Sequence, residues 1–165
     1  MLGAIIGDTV GSVYEFHNIK TTHFPMFNPQ SNYTDDSIMT MAVAQWLLND
    51  PQHGMETLEA IFLDFAKKYP CPMGGYGGGF SRWLFHPERL DDYDCDGMLQ
   101  GKRHPYNSFG NGAAMRCSAN GWMFDTLEET ERVAGLSAAI PRASKVHNQR
   151  QRPFSWRVTV RARMR

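Results

Sequence analysis

Tyr33-Thr-Asp-Asp-Ser-Ile-Met-Thr-Met-Ala-Val-Ala-Gln-Trp-Leu47 is the stretch on which the reading of this chain turns. Thr34, Asp35, Asp36 and Ser37 set two adjacent carboxylates between two hydroxyls, with no basic residue nearby. Ile38, Met39, Met41, Ala42, Val43, Trp46 and Leu47 follow with helical spacing, so the acidic cluster stands at a helix N-terminus. Two readings are open. Thr34 is a good N-cap and acidic residues suit a first helical turn electrostatically. Clustered hard oxygen donors are also what a hard-cation site requires. The company the cluster keeps elsewhere in the chain decides between them.

The flanking segments read as further helices. Leu2, Ile5, Ile6, Val10, Val13 and Tyr14 lie among Gly3, Gly7 and Gly11, which predicts a buried helix over residues 2–16 whose glycines permit close backbone packing. Asp8 and Glu15 are seven apart and share a face of it. Residues 17–33, with Pro25 and Pro29, read as a loop delivering Tyr33 to the acidic cluster. The acidic helix is expected to end at Asn49-Asp50-Pro51. Leu58, Ile61, Phe62 and Phe65 recur at i, i+3, i+4 and i+7 and mark another amphipathic helix. Residues 70–112 are rich in Gly, Pro, Asp and Asn around one short helix at Phe80-Ser-Arg-Trp-Leu-Phe85, and such long connections are usually functional or mobile. Thr126-Leu-Glu-Glu129 is a capping box for a last helix carrying Leu127, Val133, Leu136 and Ile140. No internal repeat is present.

Composition sets the outer limits. The chain has 165 residues, 42% of them hydrophobic and 12% aromatic, enough for one domain with a substantial core. Its apolar runs are too short to cross a bilayer, and Asp8 interrupts an N-terminus that lacks a basic region, so neither a membrane segment nor a signal peptide is expected. The expected location is the cytoplasm. Cys71, Cys95 and Cys117 lack zinc-like spacing and are read as reduced thiols, and the six histidines as loop or surface residues. The net charge of zero hides an asymmetry: residues 142–165 carry eight basic residues and no acidic one, which leaves residues 1–141 at a formal −8.

A second constellation is Tyr106-Asn-Ser-Phe-Gly-Asn-Gly-Ala-Ala-Met-Arg116. Gly110 and Gly112 frame Asn111 ahead of a small-residue helix expected over residues 113–119, where backbone amides are open to an anion; Arg116 either adds charge or anchors the segment. Gly74-Gly-Tyr-Gly-Gly-Gly79 reads as a loop able to lie over a ligand, with Tyr76 as a stacking residue. Gly97-Met-Leu-Gln-Gly-Lys102 is too short for a phosphate loop and lacks the following hydroxyl residue.

Taken in order, Gly3-Ala-Ile-Ile-Gly-Asp-Thr-Val-Gly-Ser12 with Glu15, Tyr33-Thr-Asp-Asp-Ser37, Tyr76-Gly-Gly-Gly79 and Asn107-Ser-Phe-Gly-Asn-Gly-Ala-Ala-Met-Arg116 closely resemble the ADP-ribosylglycohydrolase family, including its dinitrogenase reductase-activating members. The resemblance covers about residues 1–140. It implies an all-α fold, an orthogonal helical bundle, and a pair of Mg2+ or Mn2+ ions that help hydrolyse the bond joining ADP-ribose to a protein side chain or small acceptor. By it, Thr34, Asp35 and Asp36 correspond to half of the metal-ligand set. Glu15, Asp35 and Asp36 form the catalytic group, and Glu15 matches a glutamate near the reacting centre. Tyr76, Gly77, Gly78, Ser108, Gly110, Asn111, Gly112, Ala113 and Met115 match the segments that contact the ligand, the last group at its phosphates and ribose.

One departure shapes the remaining expectations. Family members run on to a second Asp-rich metal motif of the Gly-Asp-Thr-Asp kind, and none occurs here. The chain is therefore expected to be an N-terminal portion, residues 1–140, lacking the C-terminal helices and impaired in turnover, with residues 141–165 a basic tail that is out of frame or disordered. Two alternatives stay open: a module that binds ADP-ribose without turnover, and nucleic-acid binding through the tail, whose basic residues accompany Phe154 and Trp156.

Overall fold

The acidic helix, α2 (Asp35–Asn49), buries Ser37, Ile38, Met39, Thr40, Ala42, Val43, Ala44, Trp46 and Leu47, which lie around most of its circumference. A helix apolar on nearly every side must be enclosed by others, and α2 is the element around which the rest assembles. The computed structural model describes residues 1–86 and 110–140, in which every helix or strand assigned is a helix apart from a single parallel bridge between Thr34 and Met73. The all-α expectation holds.

Helix α3 (Met55–Lys68) lays Leu58, Ile61, Phe62 and Ala66 against α2, and its basic last turn, Lys67 and Lys68, suits a helix C-terminus. Helix α4 (Gly78–Phe85) contributes Phe80 and Trp83, whose rings stack at 5.8 Å, while Phe62 meets Phe80 edge-on at 6.0 Å. Two short helices follow, α5 (Gly112–Met115) and α6 (Asn120–Met123), with a 3-10 turn at Cys117–Ala119 between them. Helix α7 (Leu127–Ala139) closes the core through Val133, and Thr126 caps it as the capping box predicts, accepting the Glu129 N–H at 3.3 Å.

Between α2 and α3 the chain reverses on an aspartate. Asp50 accepts the N–H groups of Gln52 and Gly54, the latter at 2.8 Å, and these bonds, led by Gly54, hold its carboxyl below the usual range. His53 takes a positive φ of 52° and is buried, its ring meeting Trp46 and Phe124 edge-on. It is thus not a surface histidine: the turn places its flat ring in the gap between two aromatics.

The expected helix over residues 2–16 is shorter and more open than its pattern predicts. Helix α1 (Leu2–Gly11) gives way to a 3-10 turn at Ser12–Tyr14, and none of its residues is buried. Leu2 is 76% exposed, and a Cβ at Gly3, Gly7 or Gly11 would meet nothing within 4 Å. The close packing that glycines permit has no partner among the described residues: the glycine faces of α1 meet nothing, and its hydrogen bonds to the start of α2 are made through Asp8.

Ser108, Cys95, the Gly97-to-Lys102 run and residues 141–165 lie outside the described residues.

Candidate functional site

Asp8 on α1 organises the site. Its Oδ1 accepts the Thr34 hydroxyl at 2.6 Å, and its Oδ2 accepts the Thr34 N–H at 2.9 Å, the Ser37 N–H at 3.2 Å and the Ser37 hydroxyl at 2.5 Å. Thr34 in turn caps α2 by accepting the Asp36 N–H at 3.2 Å. The first amides of a helix lack internal partners. Here a threonine and an aspartate from another helix meet them together, so the cap reading of Thr34 is correct as far as it goes. It does not account for Asp35 and Asp36.

Those two carboxylates sit in a costly environment. Burial pushes Asp35 from an ordinary 3.8 up to about 7, with repulsion from Asp36, Glu15 and Asp8 adding to it. Asp36 rises to about 6, first through burial and then through repulsion from Asp8 and Glu15. Like charges gathered without a counter-ion each favour the protonated form of the others.

Glu15 follows the 3-10 turn and faces a loop in which Gly74 and Gly75 both adopt positive φ. The same loop is tied to the acidic helix by the bridge between Thr34 and Met73. Tyr76 is buried with its ring edge-on to Phe80 at 5.9 Å and its hydroxyl donated to the Tyr69 carbonyl at 2.7 Å. Burial raises the Tyr76 hydroxyl well above its ordinary range, so it stays protonated.

A cavity of about 630 Å³ joins these segments, with a wall that includes Asp8, Glu15, Thr34, Asp35, Asp36, Tyr76, Gly77, Gly78, Asn111 and Met115. Gly110, Gly112 and Ala113 belong to the adjoining segment and are not part of that wall. The Thr40 hydroxyl donates to the Met115 carbonyl at 3.3 Å and fixes this segment to α2. The small-residue helix expected over residues 113–119 is broken into α5 and a 3-10 turn, with Arg116 between them. Of its two expected roles Arg116 takes the anchoring one. It is 1% exposed, its guanidinium donates to the carbonyls of Ser137, at 3.0 Å, and of Ile140, and it lies 5.0 Å from the Phe62 ring centre. A cation at the carbonyl end of α7 is favourably placed against the helix dipole.

A sequence model of the ADP-ribosylglycohydrolase family matches residues 1–148. The chain belongs to the ADP-ribosylglycohydrolase family. Among similar proteins, the ADP-ribosylhydrolase ARH3 of Mus musculus is 30% identical over 88% of this chain and 43% of its own length. ARH3 of Homo sapiens is 29% identical over 88% of this chain and 44% of its own, and that of Xenopus tropicalis 28% identical over 86% and 39%. The chain thus spans less than half the length of these curated relatives. No helix among the described residues is long and apolar enough to cross a membrane.

Whether a hard cation suits this member of the family is a question of donor chemistry. Asp35 and Asp36 supply hard carboxylate oxygens, and the upward pull on both is relieved by positive charge. In kind, the donors fit. In number they are a partial set, since both Asp8 oxygens are engaged by Thr34 and Ser37 and no group of three His, Cys, Asp or Glu among the described residues is gathered to hold an ion.

Asp8 was not among the site residues expected from sequence. Its signal was there: a lone carboxylate inside an apolar, glycine-rich helix. Nothing along the chain tells that it reaches residue 34.

Proposed function

We propose that this chain carries the acidic, ligand-binding portion of a metal-dependent hydrolase that removes ADP-ribose from a modified protein side chain or small acceptor. The observation that supports it is the single cavity walled by Glu15, Asp35, Asp36, the glycine-rich turn and Asn111 with Met115, the segments that carry the family resemblance. The ARH3 relatives are hydrolases of ADP-ribosylated substrates by their name.

In this reading Asp35, Asp36 and Thr34 hold part of the shell of two Mg2+ or Mn2+ ions, which when bound supply the positive charge that orients the ribose and activates water. Asp8 keeps the start of α2 in place. Glu15 holds the attacking water or takes its proton at a carboxylate oxygen as positive charge grows at the anomeric carbon. Tyr76, Gly77 and Gly78 border the bound ligand, and the backbone of Gly110, Asn111, Gly112, Ala113 and Met115, with Ser108, meets its phosphates and ribose. The cytoplasm is the location proposed.

Calorimetric titration with Mg2+ or Mn2+ tests the metal half-site. The Asp35→Asn/Asp36→Asn chain is expected to lose whatever binding the wild type has, because each substitution removes a hard anionic ligand. Equal affinity in both proteins would reduce the acidic cluster to a helix cap.

A second reading has its own support. With no third ligand gathered at either aspartate among the described residues, the chain alone binds ADP-ribose without releasing it from modified substrates. ADP-ribose binding without release of ADP-ribose from modified protein marks this module; efficient metal-dependent release by the 165-residue chain refutes it.

A further inference from the structure

The turn at residues 74 and 75 contains a matched pair. Gly74 has φ +77° and Gly75 has φ +72°, so the backbone alone favours glycine equally at both. Their surroundings differ. A Cβ at Gly74 would lie 2.8 Å from Glu15 Oε2 and 3.3 Å from Phe16 Cε2, whereas one at Gly75 would meet nothing within 4 Å. The space that a side chain would fill at residue 74 is taken by the Glu15 carboxylate, in the wall of the cavity that also holds Asp35 and Asp36.

Glu15 needs such a wall. It stands after the 3-10 turn at Ser12–Tyr14, at the end of a long side chain with several rotatable bonds. We propose that Gly74 is the positioning residue for Glu15: the missing side chain lets the carboxylate rest against the turn and keeps it facing the two aspartates. The functional meaning of this contact rests on the role proposed above for Glu15, while the contact itself does not.

The two glycines supply their own control. Alanine at either position carries the same cost of a positive φ, so the two variants lose similar amounts of thermal stability. Only at residue 74 does the new methyl group overlap Glu15. Because Oε2 is the free end of a flexible chain, the overlap is relieved by rotating Glu15 away rather than by unfolding the turn.

The test uses the full 165-residue chain, labelled with 13C at glutamate carboxyls and free of metal. The Glu15 resonance is assigned by its disappearance in Glu15→Gln. In Gly74→Ala it is expected to move by more than its linewidth, and in Gly75→Ala to stay in place, with comparable melting temperatures in the two variants. A Glu15 resonance unmoved in Gly74→Ala, or moved equally in both, overturns the inference. Should Gly74→Ala fail to fold, Phe16→Ala/Gly74→Ala and Glu15→Ala/Phe16→Ala/Gly74→Ala decide, since Phe16 is the other group a methyl there would crowd: greater stability when Glu15 is also removed supports the contact, and no difference between the two overturns it. Titrating Mg2+ into the unsubstituted chain, labelled at aspartate carboxyls as well, separates this outcome from the functional reading. Silent Asp35 and Asp36 resonances would refute the metal site while leaving the Gly74 result standing.

Discussion

Raising the pH should destabilise this protein in the absence of metal, and the acidic site sets the size of the effect. Asp35 and Asp36 bind protons more tightly when folded, at about 7 and about 6 against an ordinary 3.8. A carboxylate raised in this way contributes stability at low pH and loses it as the pH climbs through its folded value. Between pH 5 and pH 8 the two groups together would cost roughly 4 kcal/mol at about 1.4 kcal/mol per factor of ten in proton affinity. Both side chains partly face solvent, and part of the Asp35 shift is repulsion from Asp36, so about half of that survives screening, or about 2 kcal/mol. For a chain of this size the melting temperature falls by roughly 6 °C over that range. Thermal unfolding in EDTA from pH 5 to pH 8 measures it directly. Asp35→Asn should flatten most of the slope and raise stability at pH 8 by about 1 kcal/mol, on the same conversion. Stability that is level or rising from pH 5 to pH 8, with no change in Asp35→Asn, would refute the claim that these carboxylates are held together without a counter-charge.

Two further outcomes follow from the contacts that hold the site. Asp8→Asn replaces an oxygen that accepts from Thr34 or Ser37 by an amide that cannot, and should cost about 2 kcal/mol in urea denaturation at pH 5, where relief of repulsion with Asp35 and Asp36 contributes least. Arg116→Lys keeps the charge but loses the fork that reaches the Ser137 and Ile140 carbonyls, and should lower stability by about 2 to 3 kcal/mol with little change in Mg2+ affinity, read by denaturation and calorimetry on the same protein.

Local structure is legible in the sequence where a single segment contains its own cause. The end of α2 at Asn49, the Thr126 cap of α7 and the amphipathic face of α3 all depend on residues within one or two turns of each other. The acidic cluster and the Asn111 segment stand out by residue type alone, carboxylates in one and glycines in the other, and the fold brings both to the wall of one cavity. The buried His53 and the broken helix after Met115 do not stand out, because each answers to a partner far along the chain: an aromatic gap completed by Phe124 in the first case, carbonyls at the end of α7 in the second. Helix α1 shows the converse, an apolar pattern whose expected partner is not among the described residues.

The sequence by itself determined that this is an all-helical chain of the ADP-ribosylglycohydrolase family with carboxylates at the start of one helix. Only the tertiary structure decided what holds them there. Asp8 and Thr34 are 26 residues apart, and Glu15 meets Gly74 across a still longer separation. Helix periodicity and capping are short-range effects written in neighbouring residues. A hydrogen bond between two helices, or a carboxylate resting where a side chain is missing, exists only once burial of α2 has brought those segments together.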